Sequence, residues 1–280
     1  QQAVMFTLQS KDRTIVVDKP IVMGILNITP DSFFEGSRVV EMDQILRKAE
    51  QMLRAGATLL DIGGQSTRPG SERLSAEEEC DRVILPIERL SSAFPQAFLS
   101  VDTYHAQVAE AAVNAGAHMV NDISAGLLDN KMLATVSKLQ VPYVIMHMKG
   151  EPETMQKNTT YQNVLKDVID FLAERKNACQ KQGIRQIIID PGIGFSKTIE
   201  QNFEIIAKLE AFQELEAPLL LGISRKSFIY KTLNTDPAGA LNGSTFLHAI
   251  GLQKGAKILR VHDVQEAVEA VRLFNALFSI

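Results

Sequence analysis

Eight times along this chain a short, mostly apolar run is followed by a longer stretch with helical spacing, and few folds accommodate that rhythm. The runs fall at 21–27, 58–62, 98–102, 119–122, 143–147, 187–190, 219–223 and 257–261. They are rich in Val, Ile and Leu at successive positions, with no alternation of apolar and polar residues. A strand of that kind has both faces covered, as parallel strands between helices have. Between the runs, residues such as Met42, Ile45, Leu46, Ala49, Met52 and Leu53 recur on one helical face. Ser75 with Glu78 and Thr198 with Gln201 have the spacing of capping boxes, and Pro86 sits within the second helical stretch. "RAGA", "NAGA" and "QKGA" each place a glycine at a helix end just before a strand.

Eight strand–helix units predict a closed (β/α)8 barrel, the TIM barrel. An open doubly wound sheet is the structural alternative. The 280 residues match the roughly 250 usual for one such barrel. No linker or low-complexity segment interrupts them, so residues 1–280 read as a single domain. A hairpin of 4–8 with 14–17 is expected to plug the barrel bottom. The stretches 29–41, 63–74 and 148–160 lack periodicity and follow strands, where active-site loops of this fold belong.

Composition narrows the function by exclusion. A net charge of −4 argues against nucleic acid or membrane surface as the main partner. No apolar run is long enough to cross a bilayer, and no signal peptide is evident. The two cysteines, Cys80 and Cys179, lie on apolar helical stripes without metal-type spacing, which suits a reducing cytoplasm.

The informative residues close the strands. In order they are Asn27; Asp61 with Gly63 and Gly64; Asp102; Asn121 with Asp122; Met146 with His147; Asp190; Ser224 with Arg225 and Lys226; and Arg260 with His262. One aspartate after a strand is most often a turn residue. Polar groups at every strand end converge on one rim, and that convergence carries the inference. Lys226, Arg225, Arg260, His262 and Arg68 can supply positive charge, and Asp102, Asn121, Asp190 and Asn27 can accept hydrogen bonds. The split fits a small molecule with a phosphate at one end and a donor-rich ring at the other. His147 reads as structural and His248 as helical, while His105 and His118 fall at exposed helix positions.

The successive segments "GILNITPDSF", "DIGGQSTRPGS", "SVDTY", "NDISAG", "MHMKGEPETMQ", "DPGIGFSKT", "GISRKSFI" and "RVHDV" resemble, in order, the motifs of dihydropteroate synthases, a pterin-binding family. The resemblance runs from about Ile21 to the last helix. It implies condensation of p-aminobenzoate with 6-hydroxymethyl-7,8-dihydropterin pyrophosphate, with release of pyrophosphate, in a homodimer that uses Mg²⁺. It also implies a pterin pocket lined by Asp102, Asn121, Met146, Asp190, Gly222 and Lys226. Asp190 is the expected partner of the ring's 2-amino-4-oxo edge, because a carboxylate accepts two adjacent N–H donors at once. By the same resemblance Asn27, Thr67, Arg68, Arg260 and His262 form the pyrophosphate end, with Asn27 toward the metal. Phe33, Thr67, Arg68, Pro69, Phe195 and Ser227 surround p-aminobenzoate. The catalytic set so implied is Asp102, Asn121, Asp190, Lys226, Arg260 and His262. Two positions depart from the family pattern. The first loop reads Phe34, Glu35, Gly36, Ser37 where the family has Ser-Asp-Gly-Gly, and Gln65 replaces a glutamate. A methyltransferase on the same barrel and a non-catalytic pterin-binding paralogue are the rival readings.

Overall fold

The computed structural model describes residues 5–11, 13–28, 38–65, 73–151, 154 and 157–278. A hairpin, β1 (Phe6–Ser10) with β2 (Arg13–Val17), opens the chain in antiparallel register, Phe6 opposite Val17. The alternation predicted above follows: β3 (Ile21–Asn27), α1 (Arg38–Arg54), β4 (Leu59–Gly63), α2 (Ala76–Ala93), β5 (Phe98–Asp102), α3 (Ala106–Ala115), β6 (Met119–Asp122) and α4 (Met132–Leu139). The second half runs β7 (Tyr143–Met146), α5 (Val164–Lys181), β8 (Ile187–Asp190), α6 (Ile199–Ala207), β9 (Leu219–Leu221), α7 (Ser227–Thr232), α8 (Leu241–Gln253), β10 (Ala256–Val261) and α9 (Val264–Phe278).

Strands β3 to β10 pair in parallel in sequence order, and β10 closes on β3 with Ile258 opposite Ile21 and Val261 opposite Gly24. That last pairing excludes the open sheet. The hairpin lies two residues later on its first arm and one earlier on its second than the sequence suggests. Elsewhere strand boundaries shift by two residues or fewer, and α1 begins at Arg38. Both capping boxes form, and Pro86 lies inside α2. Gly56, Gly116 and Gly255, from the three Gly-Ala stops, all take positive φ.

Two apolar layers hold the barrel. The outer one lies between strands and helices and includes Leu60, Ile62, Val101, Val120, Ile145 and Leu221 against Val83, Ile87, Leu90, Val108 and Leu172. The inner one fills the barrel bottom: Met23, Leu59, Phe98, Met119, Val144, Ile188, Leu220 and Ile258, one from each strand. Leu8 and Val17 of the hairpin pack onto it, so the hairpin does plug the bottom. Side chains repeat every two residues along a strand. Two residues above this apolar ring stand Ile25, Asp61, Ser100, Asn121, Met146, Asp190, Gly222 and Arg260. The barrel thus turns polar at its second layer, and that change sets the floor of the mouth.

Candidate active site

Ion pairing dominates one side of the floor. Asp61, fully buried in β4, accepts from Arg260 Nε at 2.7 Å and from Asn121 Nδ2 at 2.9 Å through the same oxygen. Arg260 also donates from Nη2 to Asp102 Oδ2 at 3.0 Å. A guanidinium can serve two carboxylates because its donors are spread round a rigid plane. Burial, with the Asp61 charge added, pushes the Asp102 carboxyl up to about 7, and Arg260 pulls it back. Burial works against the Arg260 charge, yet Asp61 and Asp102 hold its pKa above the ordinary value. Asp61 was among the strand-end residues without an assigned role. Its place two residues above Leu59 was the signal for it, and it organises both Asn121 and Arg260.

Across the mouth, Asp190 closes β8. Its Oδ1 accepts from Gly192 N at 2.8 Å, the turn-capping role that any Asp-Pro-Gly step permits. Its Oδ2 points toward the gap above Gly222, where an added Cβ would lie 4.0 Å from that oxygen and 3.8 Å from Lys226 Nζ. The missing side chain leaves space between an acceptor and a donor. Burial raises the Asp190 pKa, opposed first by Lys226. Burial lowers the Lys226 pKa to about 8, opposed by Asp190. Lys226 also donates to Ile193 O and sits 4.7 Å from the centre of the Phe195 ring. An apolar wall completes this side: Met146 packs with Tyr104, Ile123 and Met148, with Leu128 and Phe195 against them.

Of the residues predicted for the phosphate end, Asn27, Arg260 and His262 lie on or just after the paired strands β3 and β10. His262 follows β10, and its Nδ1 lies 2.9 Å from Ser224 Oγ. Ser224 Oγ also accepts from the His262 backbone N at 3.1 Å, so its own proton is free to go to Nδ1. In the tautomer whose Nδ1 accepts from Ser224, Nε2 carries the ring proton. Asn27 ends β3 exposed. Its Oδ1 and Asp102 Oδ2 lie 3.7 Å and 3.5 Å from the point a Cβ on Gly63 would occupy. Ser227 is exposed and begins α7.

Some expectations need correcting. Arg225 is not a free positive group: its guanidinium is bidentate on Asp263, at 2.7 Å for each bond. His105 and His118 are not exposed helical residues. His105 is the half-buried N-cap of α3, with Nε2 3.1 Å from Leu74 O. His118 precedes β6, stacks on Phe98 and takes the Leu99 N–H on Nδ1. Both looked helical because flanking alanines carry the helical pattern past its end. His147 and His248 are buried as expected of core residues. Phe33, Glu35, Thr67, Arg68 and Pro69 lie outside the described residues. Gln65 is described, and its amide donates to Tyr104 OH at 2.7 Å.

The structure therefore brings Asp102, Asn121, Met146, Asp190, Gly222, Lys226, Arg260 and Phe195 to one barrel mouth, with Asn27, His262 and Ser227 at its rim. The family model described as pterin binding enzyme matches residues 23–262. The dihydropteroate synthase of Escherichia coli K12 is 39% identical over 274 residues, 97% of this chain and 96% of that protein. The crystal structure of the Yersinia pestis dihydropteroate synthase with a sulfonamide drug complex superposes with a TM-score of 0.92 at 40% identity, covering 98% of this chain and 100% of that one. The Xanthomonas albilineans dihydropteroate synthase with 4-aminobenzoic acid gives 0.90 at 39%, covering 98% of each. With that agreement along nearly its whole length, the chain belongs to the pterin-binding enzymes, among the dihydropteroate synthases, which are transferases of folate synthesis.

Proposed function

We propose that this barrel mouth joins p-aminobenzoate to 6-hydroxymethyl-7,8-dihydropterin pyrophosphate, releasing pyrophosphate. One observation carries the reading: Asp190 Oδ2 and Lys226 Nζ both border the space left by Gly222, 4.0 Å and 3.8 Å from where its Cβ would stand. A flat ring lying over Gly222 presents its 2-amino and ring N–H donors to Asp190 and an acceptor to Lys226. Asn121 donates and accepts on the opposite edge, Asp102 borders it, and Met146 supports one face. Residues 1–280 act as one functional unit.

Arg260 and His262 face the leaving group. Arg260 has donors left after its two carboxylates, and Nε2–H of His262 is free, so both can stabilise charge as pyrophosphate departs. The family resemblance assigns Thr67 and Arg68 to the same end. The dihydropterin ring stabilises cationic character on the methylene carbon. The neutral arylamine then attacks without needing a dedicated base. Phe195 stacks on the benzoate ring, and the family resemblance assigns Phe33, Thr67, Arg68 and Pro69 to the same substrate. Ser227 meets the carboxylate by hydroxyl and backbone N–H.

The donor set near Asn27 fits Mg²⁺. Among the described residues no group of three or more His, Cys, Asp or Glu is suited to a metal. A single amide oxygen at the rim, with carboxylates behind it, instead suits a hard cation that keeps most of its water and takes phosphate oxygens. Bound there, Mg²⁺ would neutralise charge on the pyrophosphate. Asn27 is the residue that would hold it. The chain works as a homodimer in the cytoplasm. Supporting this are the exposed Leu233, Phe246, Leu273, Leu277 and Phe278 on or beside α7 to α9, and two free cysteines.

The deciding experiment measures pyrophosphate release with and without p-aminobenzoate, in Mg²⁺ and in excess chelator. Release that requires both p-aminobenzoate and metal is the expected result. Release without the amine would mean hydrolysis of the pterin pyrophosphate rather than condensation and would overturn the reading; no release at all would favour a methyltransferase or a non-catalytic pterin binder.

A further inference from the structure

The turn after β8 encloses a buried lysine to which the proposed reaction gives no role. Lys197 is only 4% exposed. Its Nζ lies 2.9 Å from each of three acceptors: His147 Nδ1, Gly192 O and Phe195 O. An ammonium has three donors and no acceptor, so this surrounding matches it bond for bond. A buried lysine is costly unless each donor is matched in this way.

The backbone it grips is one that needs holding. Gly192, Gly194 and Ser196 take φ of 70°, 84° and 54°, three left-handed residues within five. Gly192 presses against β7 so closely that a Cβ there would sit 1.9 Å from His147 O. The same turn supplies much of the pterin side of the mouth. Gly192 N orients Asp190, Ile193 O receives Lys226, and Phe195 lies beneath the Lys226 ammonium.

We propose that Lys197 is a positioning residue for the pterin: its amino group, held 2.9 Å from His147 Nδ1, Gly192 O and Phe195 O, sets the turn that aims Asp190 at the ring. The proposal rests on Asp190 being the residue that binds the ring. Electrostatics agree with the geometry. The cations facing Asp190 are Lys226, Arg260 and Lys197, and Asp102 is the neighbouring anion. Each cation favours the ionised carboxylate that a pair of N–H donors requires. Burial pushes the Lys197 pKa well below its ordinary value; Asp190 opposes that shift, while Lys226 and Lys149 add to it, and its Nζ also meets the His147 ring. Burial, with Lys197 and Lys149 beside it, pushes the His147 pKa down to about 2, so the imidazole stays neutral and keeps a lone pair for Lys197.

Lys197→Met keeps the aliphatic stem and removes the charge and all three donors. Binding of 6-hydroxymethylpterin to the full chain is measured by calorimetry from pH 4.5 to 8, with Asp190→Asn alongside. Binding by Lys197→Met at least tenfold weaker at pH 7 is expected. Its loss of affinity on acidification should also set in at higher pH, because removing a cation makes Asp190 easier to protonate. A folded Lys197→Met variant with native affinity and an unshifted acid limb, beside an Asp190→Asn variant that no longer binds, overturns the proposal. If Asp190→Asn binds normally, the ring-binding reading of Asp190 fails, and the positioning role fails with it. Should Lys197→Met not fold, nitrogen-15 NMR of the wild-type His147 ring decides. A neutral ring with unprotonated Nδ1 from pH 5 to 8 supports the proposal, and a proton on Nδ1 overturns it.

Discussion

Gly222 shows how much a single absent side chain contributes to this site. Its backbone needs no left-handed conformation, and a Cβ there would meet the protein only at ordinary contact distances, 3.8 Å and 4.0 Å. Gly222→Ala is therefore expected to fold with near-native stability. The added methyl would stand where the ring must lie, between Asp190 Oδ2 and Lys226 Nζ. Affinity for 6-hydroxymethylpterin should fall by tenfold or more while the thermal midpoint moves little. Calorimetry and a melting curve on one sample check both parts; unchanged affinity would mean the ring lies elsewhere. Asp61 teaches the same lesson from the polar side. It is fully buried, and through one oxygen it fixes the direction of Asn121 and Arg260.

At the scale of elements, helix α2 carries a cost at its N-terminal turn. Glu79 is 1% exposed, and its nearest ion-pair neighbour, His105 Nε2, is 3.8 Å away. Burial pushes its pKa from 4.5 up to about 8, with Thr103 pulling it back. The folded chain then holds a proton that the unfolded carboxyl releases near pH 4.5. Stability from this group is present at low pH and declines as pH rises from about 4.5 through 8. Glu79→Gln does not titrate. Its melting temperature relative to wild type should climb steadily between pH 5 and pH 9. An offset that stays constant over that range would contradict the assignment. The β1–β2 hairpin allows a complementary test. Leu8 is 1% exposed and packs onto the inner apolar ring. Leu8→Ala should cost about 2–5 kcal/mol, the usual range for a buried leucine. Denaturant unfolding measures that loss. Pterin affinity should be unchanged, since the site lies at the other end of the barrel.

For the molecule as a whole, the proposed function requires two substrates to assemble at one mouth. If p-aminobenzoate lies against Phe195 and Ser227, with the second loop around it, an aryl sulfonamide should occupy the same place. Sulfonamides should then compete with p-aminobenzoate and not with the pterin, and bind best when pyrophosphate and pterin are already present. Pro69→Ser should change the sulfonamide inhibition constant more than the Michaelis constant for p-aminobenzoate, because the drug extends further beyond its anionic group. Inhibition constants at varied concentrations of each substrate give the answer. Competition against the pterin alone would show that the second-substrate site is misplaced.

The sequence by itself determined the strands, the helices, the order of the barrel and most of the mouth. Apolar periodicity is local, so Ile21–Asn27 and Phe98–Asp102 could be read from neighbouring residues alone. Polar strand ends located Asp102, Asn121, Asp190 and Arg260 for the same reason. Glycine stops and capping boxes are likewise written within a few residues. The tertiary structure decided which charges are free. Arg260 and Asp61 are 199 residues apart, and only closure of β10 on β3 brings them together. Arg225 and Lys226 are adjacent and look alike in sequence. One is consumed by Asp263, 38 residues away, while the other reaches the mouth. Lys197 reads as one more basic residue until the turn after β8 folds it against His147, 50 residues earlier. A side chain's charge is a property of its own residue, but its partners are set by which distant strands become neighbours.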